Sequence, residues 1–208
     1  SKSNRRYTLI SAFLIRQAFV VPLGAMLVAM LTGVLLPEYS SISQHISEMT
    51  VLNHPAALIT RSAAVVTGAS ILAFSLGLIL STSSRFAFTA IAATIGGLAM
   101  MSGGIFVMGN PLHGLYALAL FNALVPVFFA AELGQNQTIL KLSMAASLIT
   151  LIYFWLQIAN FDPHGFRGLT QRIAIVVMFG WYSIAGYGLL CTGILPSKKS
   201  HHARSKPV

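Results

Sequence analysis

The sequence predicts an all-α membrane protein: a polytopic bundle of six transmembrane helices with a short interfacial helix after the first. Three observations lead there. Charged residues make up 8% of the chain and hydrophobic ones 56%, with a mean hydropathy of +0.78. A soluble domain carries roughly 25% charged residues, so this chain cannot cover a water-facing surface and takes lipid as its solvent. Six apolar runs also reach the length of about 20 residues that crosses about 30 Å of hydrocarbon. Finally, the basic residues are distributed unevenly between the two ends that such a zigzag creates.

The first run is Gln17–Leu36, preceded by Arg16. The second is Ser62–Leu80, entered after Arg61 and closed by the polar turn Ser81–Arg85. The third, Phe86–Met108, is interrupted at Asn110-Pro111, and the fourth is Leu112–Leu133. The fifth is Ile139–Phe161. The loop Asp162–Arg172 leads to the sixth, Ile173–Leu195, which Pro196 stops. Small residues recur every four positions in the first run (Ala25, Ala29, Gly33), and in the third the same spacing gives Ala92, Gly96, Met100 and Gly104. Lipid gives helices no hydrophobic reason to associate, so close approach at small residues holds them together, and the third run is expected to be central. The organisation is a basic tail (1–15), one membrane domain (16–195) and a second basic tail (196–208).

Placing both termini in the cytoplasm puts ten of the thirteen Lys and Arg residues inside and leaves Arg61, Arg167 and Arg172 outside. This follows the positive-inside rule and places the protein in a plasma membrane. The net charge of +9 sits mainly in Lys2, Arg5, Arg6, Lys198, Lys199, Arg204 and Lys206. Anionic lipid headgroups are its expected partner, rather than nucleic acid. Cys191 alone forms no internal disulfide and no metal motif. The first run is full length and reads as a true span, not a cleaved signal.

Between the first two spans lies Pro37–Arg61. Ser41 with Gln44 three residues on reads as a capping box. Ile42, Ile46 and Met49 then fall on one helical face, with Gln44 and Glu48 stacked on another. A helix over Ser41–Thr50 with one apolar face is expected to lie in the interface plane as a lid. Histidines mark every outer connection: His45, His54, His113 and His164. Asn110-Pro111 and Asp162-Pro163 each read as an N-cap followed by proline at the first helical position.

Taken together, Ser47, Glu48, Arg61, His113, Asp162, His164, Arg167 and Arg172 form a candidate polar pocket at the outer end. Ionisable groups at the edge of hydrocarbon pair with one another or face a cavity. One use is a metal site of His113, His164 and a carboxylate, although no HExxH or CxxC spacing accompanies it. Another is a Ser47 nucleophile served by a histidine. Haem ligation between His54 and His113 is a further option; the sequence specifies no cofactor. A structural or headgroup-binding network requires nothing unusual and is favoured. Three outward acids (Glu38, Glu48, Asp162) against three arginines predict internal pairing, with Glu48 on Arg172.

Ser43–Met49 (SQHISEM) after Pro37-Glu38-Tyr39, then Gly104–Gly114 (GIFVMGNPLHG) and Gly168–Arg172 (GLTQR) resemble a bacterial family of uncharacterised six-span membrane proteins, a domain of unknown function. Its motifs are a Ser-Glu pair, an Asp-Pro with a following His-Gly, and Gly-Leu-x-Glu-Arg. The resemblance covers about residues 15–195 and maps onto Ser47, Glu48, His113, Gly114 and Arg172. Asn110 stands where aspartate is expected and Gln171 where glutamate is, which puts any carboxylate-dependent activity in doubt. The resemblance implies the six-helix fold and no particular reaction. The functional expectation is a binding or structural role at lipid headgroups. The alternatives are a membrane-embedded hydrolase of lipid-like substrates and an accessory subunit with protein partners in the membrane.

Overall fold

A computed structural model describes residues 2–115 and 117–195, with side chains from residue 9 onward. The side chains of Lys2, Arg5 and Arg6, and Pro196, Lys198, Lys199, Arg204 and Lys206, lie outside the described residues. Seven α-helices are present among the described residues, and no strand. They are α1 (Lys2–Gln17), α2 (Val21–Val34), α3 (Pro55–Thr82), α4 (Ala87–Ile105), α5 (Phe121–Leu133), α6 (Gln137–Ile158) and α7 (Arg167–Cys191). Five stretches are long and apolar enough to cross a membrane: Leu9–Val34, Pro55–Thr82, Ala87–Ile105, Gln137–Ile158 and His164–Cys191. Leu118–Leu133 is a shorter apolar helix, rising about 24 Å against about 30 Å of hydrocarbon. The chain is a polytopic helical bundle. One end carries the three long connections (the loop end) and the other the short turns at Ser83–Phe86 and Gly134–Asn136 (the turn end).

Local chemistry accounts for the boundaries. Pro55 opens α3 behind His54, whose Nδ1 accepts the Ala56 N–H at 3.1 Å. Gly134 closes α5 in the left-handed region, φ 66°, as a C-terminal glycine does. Asn136 then caps α6 by accepting from Thr138 N and Ile139 N. The fourth run was expected to be helical from Leu112. It turns instead through Gly109, Gly114 and Leu115, all at positive φ, a conformation no α-helix contains, and becomes α-helical only at Phe121. Conversely α7 begins at Arg167, six residues before the expected start at Ile173, and most of the expected loop is its first turns.

The first run differs most. Helix extends back to Lys2, and Ser11, Ala12 and Ile15 are buried, so packing begins before Arg16. The span then breaks at Ala18–Val20. Side chains satisfy the opened backbone. Gln17 Nε2 donates to Ser70 O and Leu14 O, both at 2.8 Å, and Gln17 Oε1 accepts from the Ser70 hydroxyl. Ser183 Oγ donates to Phe19 O at 2.6 Å, and the Phe19 ring fills the notch at Gly186. Ser70 lies near the middle of α3. Half-buried Arg16 therefore sits within the bundle's depth, not at its edge as the sequence implied.

The most extensive pairing is α3 with α4. A Cβ on Gly68 would collide with the Gly97 carbonyl and the Met101 main chain, and one on Gly104 with the Arg61 carbonyl. The small-residue stripe thus seats α4 closely on α3, with α5 on its other flank. The central place expected of this span is not observed: Phe88, Ile91 and Leu98 of α4 are exposed, and α3 packs on more helices than α4 does. Two spans down, Asn122 of α5 donates to Gly96 O at 3.2 Å and occupies the space a Gly96 side chain would need. Pro126 interrupts α5, and the neighbouring Val127 N–H is taken up by Ser147 Oγ of α6 at 3.0 Å.

Gly68→Ala is expected to destabilise the bundle by about 1–3 kcal/mol, the scale of overpacking, because main-chain atoms cannot move aside as a side chain would. Gly24→Ala, whose new methyl meets open space, is expected to be neutral or stabilising by about 0.5–1 kcal/mol. Unfolding in graded denaturing detergent measures both, and equal effects would remove the glycine seam.

Candidate functional site

The loop end is built by docking the first connection onto the N-terminus of α7. The connection contains two turns, not one helix. Ser40 Oγ accepts from Ser43 N at 3.3 Å while Gln44 Oε1 accepts from Ser40 N at 2.8 Å, so the first cap is Ser40, one residue before the expected Ser41. A 3₁₀ turn follows over Ile46–Val51, with Glu48 Oε1 accepting from His45 N at 2.8 Å. A 3₁₀ helix repeats every three residues, so Ile46 and Met49 share the buried face. Ile42 belongs to the preceding turn and is exposed, which corrects the expected Ile42–Ile46–Met49 stripe. The apolar lid is present, in tighter form and starting later.

Every residue of Gly168–Arg172 except Thr170 meets this connection directly. A Cβ on Gly168 would collide with Gln44 O and Ser41 O. Leu169 N donates to Ile42 O at 2.9 Å, and Gln171 Oε1 accepts from Ile46 N at 2.7 Å. Arg172 Nη1 donates to Gln44 O at 3.1 Å and Gly168 O at 2.9 Å, and its Nη2 to Tyr39 Oη at 2.9 Å. Tyr39 in turn donates to His45 O at 2.8 Å. Burial pushes the Tyr39 phenol above its usual range, against the opposing pull of Arg172. The phenol stays protonated and bridges guanidinium and carbonyl. Thr170 donates to Asp162 Oδ1 at 2.8 Å, and Asp162 Oδ2 faces His45 Nε2 at 3.5 Å. That contact is long for a hydrogen bond but within ion-pair reach. It is the only such pair among the described residues.

Several expectations are corrected. Glu48 and Arg172 do not pair: Glu48 caps His45 and receives Gln44 Nε2 at 3.1 Å, and Arg172 binds carbonyls and Tyr39. Arg61 pairs with no acid either. Its Nε and Nη2 donate to Gly104 O and Ile105 O, each at 2.9 Å, so it caps the C-terminus of α4, where a cation also meets the helix dipole favourably. Asp162 and His45, expected at the accessible surface, are each 6% exposed. Asp162 faces His45 and Thr170 instead of capping a helix. Asn110 Oδ1 accepts from Leu112 N at 2.9 Å, which shapes a turn and starts no helix.

Other candidates stay apart. Ser47 Oγ donates to Met108 Sδ at 3.6 Å and, among the described residues, to no histidine. His113 Nδ1 lies 2.7 Å from Phe106 O; a carbonyl only accepts, so this nitrogen carries the proton. His164 is exposed in a 3₁₀ turn, and Arg167 is half-buried. Among the described residues no three His, Cys, Asp or Glu side chains come together to hold a metal ion. Tyr39, His45, Gly168 and Gln171 were not among the sequence candidates. The signal for His45 was its spacing from Glu48, the same capping interval as the Ser41–Gln44 pair.

The fold and this seam define a multi-pass helical membrane protein whose first connection is latched onto its last span. The chain belongs to the family described as protein of unknown function (DUF998), whose model matches residues 19–188. No curated protein and no solved structure matches it.

His45→Ala and Asp162→Ala are each expected to destabilise by about 1–3 kcal/mol, the scale of leaving a buried polar group unpaired. The double variant should cost at least about 0.5 kcal/mol less than the sum. A double-mutant cycle by detergent unfolding measures this; strict additivity would show that the two side chains do not communicate.

Proposed function

We propose that the protein binds anionic lipid headgroups at its loop end, in a plasma membrane with that end outside and both termini in the cytoplasm. The observation that carries the reading is the arginine inventory. Arg61, Arg167 and Arg172 all lie at the loop end, and none has a carboxylate within 4.0 Å among the described residues. The acids that balanced them by count are committed elsewhere: Glu48 to the His45 N–H and Gln44, Asp162 to His45 and Thr170. Arg61 and Arg172 are held by neutral carbonyl and phenol oxygens, which orient a guanidinium without neutralising it. Arg172 Nε and Ser41 Oγ are buried and have no hydrogen-bond partner among the described residues. A cation near the membrane surface contributes about 1 kcal/mol toward an anionic lipid, and a guanidinium suits phosphate geometry.

The orientation rests on basic-residue bias. Arg85 and Lys141 lie at the turn end, and the basic residues of both tails add to that side by sequence. In a Cys191→Ser background, cysteine at exposed Glu38 should label from outside intact cells and cysteine at Gln135 should not. The reverse pattern would invert the protein.

Headgroup binding is tested on Arg167, which forms no part of the latch. Arg167→Gln, reconstituted in mixed vesicles and analysed by native mass spectrometry, should retain several-fold less anionic lipid relative to zwitterionic lipid than the parent. An unchanged ratio would remove the headgroup role.

A further inference from the structure

We propose that the connection between α6 and α7, residues 159–166, is a membrane anchor seated at the headgroup–acyl boundary of a phospholipid bilayer. It rests on the membrane-spanning fold and not on any preference for anionic lipid.

The argument begins with the exposed apolar residues. On α6, Ile152, Trp155 and Ile158 are exposed at helical spacing, and on α7 so are Leu169, Ile173 and Val176. These stripes face lipid along the spans. Where a span emerges into water, polar residues normally take over. Here the apolar surface continues through the connection: Phe161 is 66% exposed, and its ring lies 5.7 Å from that of Trp155. Tryptophan is enriched at membrane interfaces, and Trp155 carries the Phe161 ring beside it.

Charge points the same way. The connection has one carboxylate, Asp162, and it is turned inward onto His45 and Thr170. What faces outward is Phe161, Pro163, His164 and Phe166, with half-buried Arg167 next in the chain. A surface of aromatic rings with no outward negative charge suits a phosphate-bearing interface. The latch therefore has a second consequence: by holding Asp162 inside, it keeps the anchor free of a group that lipid phosphates would repel. A protein partner or a second copy is the competing occupant. Continuity with the lipid-facing stripes favours lipid.

The chain's two tryptophans make the test clean. Trp181 is 1% exposed and hydrogen-bonded to Ser143, whereas Trp155 is 58% exposed. The full chain would be reconstituted in phosphatidylcholine vesicles containing lipid brominated near the glycerol end of the acyl chain, or near its terminus. Trp155→Phe gives the Trp181 background. Adding Phe161→Trp to Trp155→Phe places a reporter in the connection itself. The expected result is loss of most of the Phe161→Trp emission with the shallow bromolipid, several-fold less with the deep one, and little quenching by aqueous iodide. Quenching by iodide instead would place the connection in water. Protection from both quenchers would mean that protein covers it. Either outcome overturns the anchor. Because the vesicles are zwitterionic, the result is independent of whether Arg167 selects anionic headgroups.

Discussion

A main-chain N–H or C=O exposed at the end of a helix in lipid has no water to turn to, and that shortage organises this protein. Its few charged side chains are spent on helix ends belonging to other elements. Arg61 of α3 takes the last carbonyls of α4. Glu132 of α5 takes the Phe88 and Thr89 N–H groups at the start of α4, together with the Thr89 hydroxyl. Arg85, in the turn before α4, takes Leu133 O at the end of α5. Hydrogen bonds to charged groups contribute about 1.5–3 kcal/mol each, and here each also fixes the axial position of one helix against another. Such bonds supply the register that apolar packing alone leaves loose when the solvent is itself apolar.

The same economy explains the loop end. The three short motifs that carried the family resemblance fall on one seam or beside it, and each has a local mechanical task. Gly168 permits main chain to touch main chain. Gln171 and Glu48 accept N–H groups from the first connection, and His113 holds the end of α4 through Phe106. Gln171 and Asn110 lack the charge of the expected carboxylates but keep an oxygen in the accepting role. The neutral side chains at these two positions are compatible with an intact seam.

The spans were legible because their signal is additive: twenty apolar residues outweigh any single misfit. The close seating of α4 on α3 was legible for a similar reason, since a stripe of small residues has one use in lipid; the central place expected of α4 was not borne out, because its other side keeps Phe88, Ile91 and Leu98 exposed. The breaks were not legible. Positive φ at Leu115 falls on a residue type that does not announce it, and the unwinding at Ala18–Val20 depends on what lies across the bundle, including Ser70, Ser183 and Gly186, which sequence spacing does not connect. Ion pairing failed as an inference because counting charges ignores the carbonyl groups competing for them. Arg61 and Arg172 found main-chain oxygens closer to hand than any acid. The lid's place in the chain was legible but its form was not: one helix over Ser41–Thr50 was expected, whereas a turn capped by Ser40 precedes a 3₁₀ helix over Ile46–Val51, and Ser40 and Ser41 are equally good caps by sequence.

The interrupted first span bears on how the chain enters the membrane. An arginine near the centre of an isolated helix opposes insertion by about 2.5–3.5 kcal/mol, and the break leaves further carbonyls bare. Ser70 and Thr67, which engage this region through Gln17 and the Pro22 carbonyl, are both on α3. The first span alone is therefore a poor substrate for the insertion machinery. It becomes favourable when α3 completes it, so the two segments are expected to enter the bilayer together. For these two segments the expected unit of insertion is a hairpin, and not a single helix.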